Sequence, residues 1–291
     1  MRKILFLLLL SFCTTVHAQY RFSAQNAFKY IEIQSEFGPR DPGSEGHKKC
    51  KEFLVEELKK FTPRVKEQNF QYEDKERKVT LDLTNIIASF GEQEQRILLC
   101  AHWDTRPFAD RNDPPSKQPI IGANDGGSGV ALLLEIGKHI SENPLKNYGV
   151  DIVFFDAEDW GHEGETEKYC IGSKYFAENM EGISPVYGIL VDLIADKNPV
   201  YKMDGYSLYY AADYVYKVWK KAQSLGYTEF VDENLGYIID DHVALLQKGY
   251  PVIDIIDLDF PQWHTLQDTP ENCSTQGLIA VGETILALIY E

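Results

Sequence analysis

Four short, nearly uninterrupted apolar runs, each followed by acidic residues or a histidine, constrain this 291-residue chain more than any other feature. They are RILLCA at 96–101, VDIVFF at 150–155, VYGILV at 186–191 and PVIDII at 251–256. Each has strand length and lacks the alternation of a half-exposed strand, which marks strands covered on both faces. The spacing of apolar residues predicts helices over 127–140, 172–179, 206–225 and 241–248 between the runs, and over 275–290 after the last. Before the first run, a short helix at 22–36 is broken by Gly38-Pro39 and Pro42-Gly43, and Ser44 can cap a second at 44–61. Residues 65–90 alternate in part and read as two strands about a charged turn at 73–77. Helices alternating with strands of this kind specify an α/β fold, a three-layer αβα sandwich with a mixed, mostly parallel central sheet. No linker, low-complexity segment or internal repeat interrupts the pattern, so residues 19–291 are expected to form one domain.

The first 18 residues, MRKILFLLLLSFCTTVHA, differ in character. Arg2 and Lys3 precede a stretch at 4–12 that is apolar except for Ser11, and Val16-His17-Ala18 forms a small-residue cleavage site. The run falls short of the roughly 20 residues that a membrane span requires. The expectation is a signal peptide at 1–18, a mature chain that starts at Gln19 and has no transmembrane helix, and a periplasmic or secreted location. Leu10-Ser11 suit a lipobox that would anchor the chain to a membrane through a lipidated Cys13, but Phe12 stands where a small residue belongs. The other cysteines, Cys50, Cys100, Cys170 and Cys273, form no CxxC pair, and outside the cytoplasm three disulfide connectivities are open to them. Acidic residues outnumber basic ones by 45 to 29, for a formal net charge of −16. That balance argues against nucleic acid and anionic membrane surfaces as partners.

The polar residues that matter lie where the strands stop. RILLCA runs into His102-Trp103-Asp104, VDIVFF into Asp156-Ala157-Glu158-Asp159, and VYGILV into Asp192. Trp263-His264-Thr265 come after PVIDII, and Asn124-Asp125 precede the helix at 127–140. Open α/β sheets place their sites at the carboxyl ends of the strands. Taken singly, Asp125 reads as a helix cap, Glu158-Asp159 as a solvated turn and His264 as a surface histidine. Taken together, they bring carboxylates and imidazoles to one rim. Without a cation so many carboxylates would repel one another, and this mixture of oxygen and nitrogen donors suits Zn²⁺. The glycines of GANDGGSG at 122–129 allow the backbone to approach a ligand closely and to start a helix.

The ordered set FGPR (37–40), HWD (102–104), GANDGGSG, FFDAED (154–159), LVDL (190–193), DDH (240–242) and FPQWHT (260–265) resembles the zinc-dependent M28 peptidase superfamily. Within it, FP-x-WHT together with DDH and LVDL is most similar to the glutaminyl-peptide cyclotransferases, or glutaminyl cyclases, in their Bacteroidetes-type form. The likeness spans about 37–272. It implies the zinc-exopeptidase fold and an activity that converts N-terminal glutamine of peptides and proteins to pyroglutamate with release of ammonia. It implies one zinc per chain held by Asp125, Asp159 and His264, where animal cyclases carry Glu in place of Asp159. Glu158 matches the general acid/base, and Asp192 and Asp240 match acidic residues that share its hydrogen-bond network. Trp263 matches an aromatic wall of the substrate pocket, which Trp103 and Trp160 would complete. His102 and Asp104 match a motif that helps to hold a second zinc in dimetal aminopeptidases, so a second site through His102 and Asp192 is open. Animal cyclases have a disulfide near the HxD strand, and Ala101 stands where one of its cysteines would be needed. Two other readings share this sequence pattern: a dizinc aminopeptidase of the M28 type, and a non-catalytic binding protein on a peptidase scaffold.

Overall fold

In the computed structural model, which describes residues 22–180 and 182–291, the apolar runs form four neighbouring strands of a six-stranded sheet, the last of them at its edge. The expected signal peptide and Cys13 lie outside the described residues. The strands are β1 (Val65–Asp74), β2 (Val79–Phe90), β3 (Arg96–His102), β4 (Gly149–Phe155), β5 (Tyr187–Asp192), β6 (Tyr201–Asp204), β7 (Phe230–Gly236) and β8 (Val252–Ile256). The large sheet has the order β1-β2-β4-β3-β5-β8. Its β4/β3, β3/β5 and β5/β8 ladders are parallel, and the β1/β2 hairpin and the β2/β4 ladder are antiparallel.

The helices are α1 (Ala24–Glu36), α2 (Glu45–Phe61), α3 (Gly127–Glu142), α4 (Ile171–Glu178), α5 (Gly205–Leu225), α6 (Asp241–Gln247) and α7 (Thr275–Ile289). Successive side chains of a strand point to opposite faces, and the core follows that rule. On β3, Ile97, Leu99 and Ala101 pack with α1, α2, α3, α5 and α7, whereas Leu98 and Cys100 pack with α4 and α6. Every residue of β4, β5 and β8 is buried, which is why their sequences show no alternation. Ser44 caps α2 by accepting the His47 backbone N–H at 3.0 Å.

One element escapes the sequence reading: a separate two-stranded parallel sheet of β6 and β7. β6 has four residues and β7 (FVDENLG) has one buried residue of seven, so neither carries an apolar signal. The four cysteines Cys50, Cys100, Cys170 and Cys273 are all free thiols and buried. No helix among the described residues is long and apolar enough to cross a membrane.

Candidate active site

Strand register assembles the site. His102 is level with Phe155 across β3/β4, and Asp192 with Ile256 across β5/β8, so four chain segments leave the sheet at one edge. They border a cavity of about 300 Å³ whose lining includes Asp125, Glu158, Asp159, Asp192, Asp240, Trp263 and His264. Seven of the nine residues singled out as catalytic, substrate-binding or metal-binding therefore meet there.

Trp103 and Trp160 do not line this cavity, which corrects the expectation placed on them. Trp103 is fully buried, stacks on His47 at 4.3 Å and donates its indole N–H to the Thr84 carbonyl. Trp160 donates to Asp74 Oδ2 at 3.0 Å and lies under the Arg77 guanidinium. Trp103 leaves the end of β3 on the face opposite His102, and Trp160 is turned away by its own bond to Asp74. The cavity wall comes instead from Glu163, Gly164, Thr166 and Tyr169 together with Ile238, Ile239, Ile256 and Leu258. The Arg111 guanidinium lies 4.0 Å above the Trp263 ring.

Two donor sets of metal-binding type share Asp125. In the first, Asp125, Asp159 and His264 offer ligand atoms that lie within 4.8 Å of one another. His264 Nε2 is 3.5 Å from Asp125 Oδ2 and 3.3 Å from Asp159 Oδ2, and both of these buried oxygens lack a hydrogen-bond partner. Buried carboxylate oxygens left unpaired are costly, and a cation among the three groups would satisfy both. The residues present therefore fit a zinc ion, with three protein donors. The second set is His102, Asp125 and Asp192, with His102 Nε2 3.3 Å from Asp125 Oδ1 and 3.2 Å from Asp192 Oδ1.

The supporting residues were not evident from sequence. Asp268 accepts the backbone N–H groups of Asn124 at 2.8 Å and Asp125 at 3.0 Å, fixing the loop that presents Asp125. Burial, with Asp125 nearby, pushes its pKa up to about 7. Arg40 of FGPR is fully buried and donates to the carbonyls of Trp103, Ile121 and Gly122, tying that loop to the end of β3. Arg106 is 1% exposed, with Nη1 2.5 Å from Asp159 Oδ1 and two contacts to Asp110. Asp110 Oδ1 in turn lies 3.7 Å from His264 Nδ1. The available signal was an arginine and an aspartate four residues apart, just beyond the HWD segment, in a region otherwise rich in carboxylates.

The glycines of GANDGGSG serve packing. A Cβ on Gly126, at φ 79°, would lie 2.3 Å from the Asp104 carbonyl oxygen, and one on Gly129 2.3 Å from that of Val191. They let α3 start against the ends of β3 and β5. Among the described residues, five non-glycine residues have left-handed backbone, and four are cavity-lining residues or their immediate chain neighbours: Ala157, Cys170, Leu193 and His264, with φ between 51° and 57°. Such conformations cost energy and cluster where function requires a fixed geometry.

Glu158 and Asp159 are placed by Asp104, which accepts their backbone N–H groups at 3.0 and 3.3 Å. Their environments drive them apart. Burial, then the charges of Asp159, Asp240 and Asp241, hold the Glu158 pKa well above the ordinary carboxylate value. Burial also acts to raise Asp159, but His264 and Arg106 outweigh it and leave its pKa below the ordinary value. Burial and Asp192 push Asp240 up to about 7. One carboxyl suited to carrying a proton thus stands beside one that stays ionised, the pairing expected of an acid/base next to a ligand.

The profile of Peptidase family M28 matches residues 85–289. The glutaminyl-peptide cyclotransferase-like protein of Mus musculus is 25% identical over 260 residues, covering 80% of this chain and 67% of that protein. The chain spans about two thirds of the length of its curated relatives. The crystal structure of Tannerella forsythia glutaminyl cyclase is similar with a TM-score of 0.88 and 40% identity, over 93% of this chain and 99% of that one. A Zn-dependent exopeptidase from Parabacteroides distasonis also has a TM-score of 0.88, at 37% identity over 93% and 99% of the two chains.

Proposed function

This chain belongs to Peptidase family M28, and from that premise we propose that it is a zinc-dependent glutaminyl-peptide cyclotransferase acting on peptides and proteins with N-terminal glutamine. The observation that carries this reading is the 40% identity to Tannerella forsythia glutaminyl cyclase over 99% of that chain. The site geometry supports it: a small cavity with Glu158 beside a three-donor set and Trp263 at its wall.

In this reading Asp125, Asp159 and His264 hold one zinc ion. Bound there, zinc supplies a Lewis acid that polarises the γ-carboxamide and stabilises charge developing on its oxygen. The apolar wall of Ile238, Ile256, Leu258 and Trp263 packs the folded glutamine side chain and excludes water. Confinement brings the α-amine against the amide carbon, so much of the entropy of ring closure is met on binding. The new C–N bond closes a five-membered lactam as the bond to the amide nitrogen breaks. Glu158 takes a proton from the attacking amine and returns it to the leaving nitrogen, which departs as ammonia. Asp240, with Asp241 and Asp159, sustains the raised proton affinity of Glu158, and Asp192 lines the same cavity, where it would meet the substrate amine.

A dizinc aminopeptidase is the second reading, favoured by the His102, Asp125 and Asp192 donor set and by the exopeptidase among the similar structures. Purified protein incubated with Gln-peptides and Leu-peptides separates the two by mass. Loss of ammonia from the former supports the cyclase, and loss of a residue from the latter refutes it. Bound zinc should measure one per chain. We also propose that the enzyme works outside the cytoplasm after removal of residues 1–18, which N-terminal analysis of exported material tests. A start at Gln19 supports this, and a start at a lipidated Cys13 overturns cleavage after Ala18 and places the enzyme on a membrane.

A further inference from the structure

We infer that Cys170 is a positioning residue for Glu158, its thiol donating the hydrogen bond that orients the carboxylate. The inference rests on the cyclase reading. Cys170 Sγ lies 3.3 Å from Glu158 Oε1, and no other side-chain hydrogen bond reaches this carboxylate among the described residues. The contact is built in by the backbone on both sides. The Cys170 N–H donates to the Glu158 carbonyl at 2.8 Å, the Ile171 N–H to Ala157 at 3.1 Å and the Gly172 N–H to Asp156 at 2.9 Å. The segment entering α4 is thereby laced along the segment leaving β4. Ala157 at φ 55° and Cys170 at φ 54° supply the two left-handed bends that turn Glu158 and the thiol toward each other.

The thiol is suited to donating and to little else. It is 2% exposed and unpaired. Burial, reinforced by the charges of Glu158, Asp241 and Asp240, keeps its proton firmly on sulfur. A protonated thiol is a weak donor, and its bond strengthens when Glu158 is in the ionised form that accepts the substrate proton. With Oε1 engaged by sulfur, Oε2 remains for the substrate amine, so one edge of the carboxylate is held and the other is free to exchange a proton.

The test compares Cys170→Ala and Cys170→Ser in the zinc-loaded enzyme on a Gln-peptide. Cys170→Ala should lower kcat by about tenfold, in keeping with loss of one hydrogen bond to a charged acceptor. KM should stay within about twofold, because Cys170 touches no substrate. Zinc content should not change. Cys170→Ser, which restores a donor, should recover most of kcat. A Cys170→Ala enzyme with wild-type kcat overturns the inference, as do equal losses in the two variants, which would show that sulfur only fills space. A second readout needs no turnover and no change at residue 170. The infrared S–H band of Cys170 should be displaced from that of a free thiol and should shift in Glu158→Gln. A band indifferent to Glu158→Gln in an enzyme that cyclises normally overturns the hydrogen bond alone. A displaced band in a protein that leaves Gln-peptides intact refutes the reaction, and the positioning role with it.

Discussion

Asp240→Asn should make this protein more stable and a poorer catalyst. Asp240 is 4% exposed, its Oδ1 caps α6 by accepting the Asp241 N–H, and its Oδ2 has no hydrogen-bond partner. Burial and Asp192 raise its pKa from 3.8 to about 7. A raised carboxyl pKa means that the folded state binds the proton more tightly than the unfolded chain does. Stability is then greatest below the unfolded value and declines as pH rises through the interval up to about 7. The full interval corresponds to about 4 kcal/mol. Asp240 also raises the pKa values of the buried carboxyls of Asp241, Asp254 and Glu158, so its contribution is not separable from theirs, and one substitution should recover about 2 kcal/mol. Asparagine keeps the capping oxygen and mimics the protonated form. In the metal-depleted protein, Asp240→Asn should therefore raise Tm by roughly 4–8 °C at pH 8, with the gain shrinking toward zero near pH 4. Thermal unfolding followed by circular dichroism across that range measures it. An unchanged or lower Tm at pH 8, or a gain that does not shrink on acidification, would refute the electrostatic account. Turnover should fall in the same variant, since Glu158 loses part of the charge pressure that keeps its proton affinity high.

Glu158→Gln keeps an acceptor for the Cys170 thiol while removing the proton carrier. Its kcat should drop by a factor on the order of 10² to 10⁴ with zinc retained, and near wild-type turnover would move the proton-transfer role to Asp192 or Asp240. His264→Ala removes one of three donors, so equilibrium dialysis should show a sharp loss of zinc affinity, and zinc should restore activity to chelated wild-type protein but not to the variant. Ala157→Gly relieves a left-handed residue worth about 1–2 kcal/mol and gives up a buried methyl worth about 0.8 kcal/mol, so Tm should rise slightly. A lower Tm would show that the bend at Ala157 is not strained.

The core strands were legible because burial on both faces removes polar residues from the sequence itself. Residues 96–101, 150–155, 186–191 and 251–256 needed no neighbour to identify them. The site residues were legible for the same reason, since polarity returns abruptly at His102, Glu158, Asp159 and Asp192. β6 and β7 were not, because a short exposed strand in FVDENLG has the composition of a loop. The supporting residues were invisible for a different reason. Asp268 reaches Asn124 across 144 positions, and Cys170 reaches Glu158 across 12, and no local pattern encodes such contacts. Trp103 and Trp160 were misplaced because adjacency to the site does not decide which way a side chain turns, and each indole finds its partner elsewhere, at Thr84 and Asp74.

Arg106 also governs how Asp159 can meet a cation. Its guanidinium occupies Oδ1, and only Oδ2 is left unpaired. Asp125 is similar, with Oδ1 beside His102 and Oδ2 unpaired. Neither carboxylate can grip an ion with both oxygens. Two single-point donors and one imidazole suit an ion content with about four partners, as Zn²⁺ is. Ca²⁺ collects roughly six to eight oxygens, often by bidentate chelation, and would be left undercoordinated here. At Asp159 denticity, and through it part of the discrimination between metals, is thus set by a side chain whose own charge keeps it from ever being a ligand.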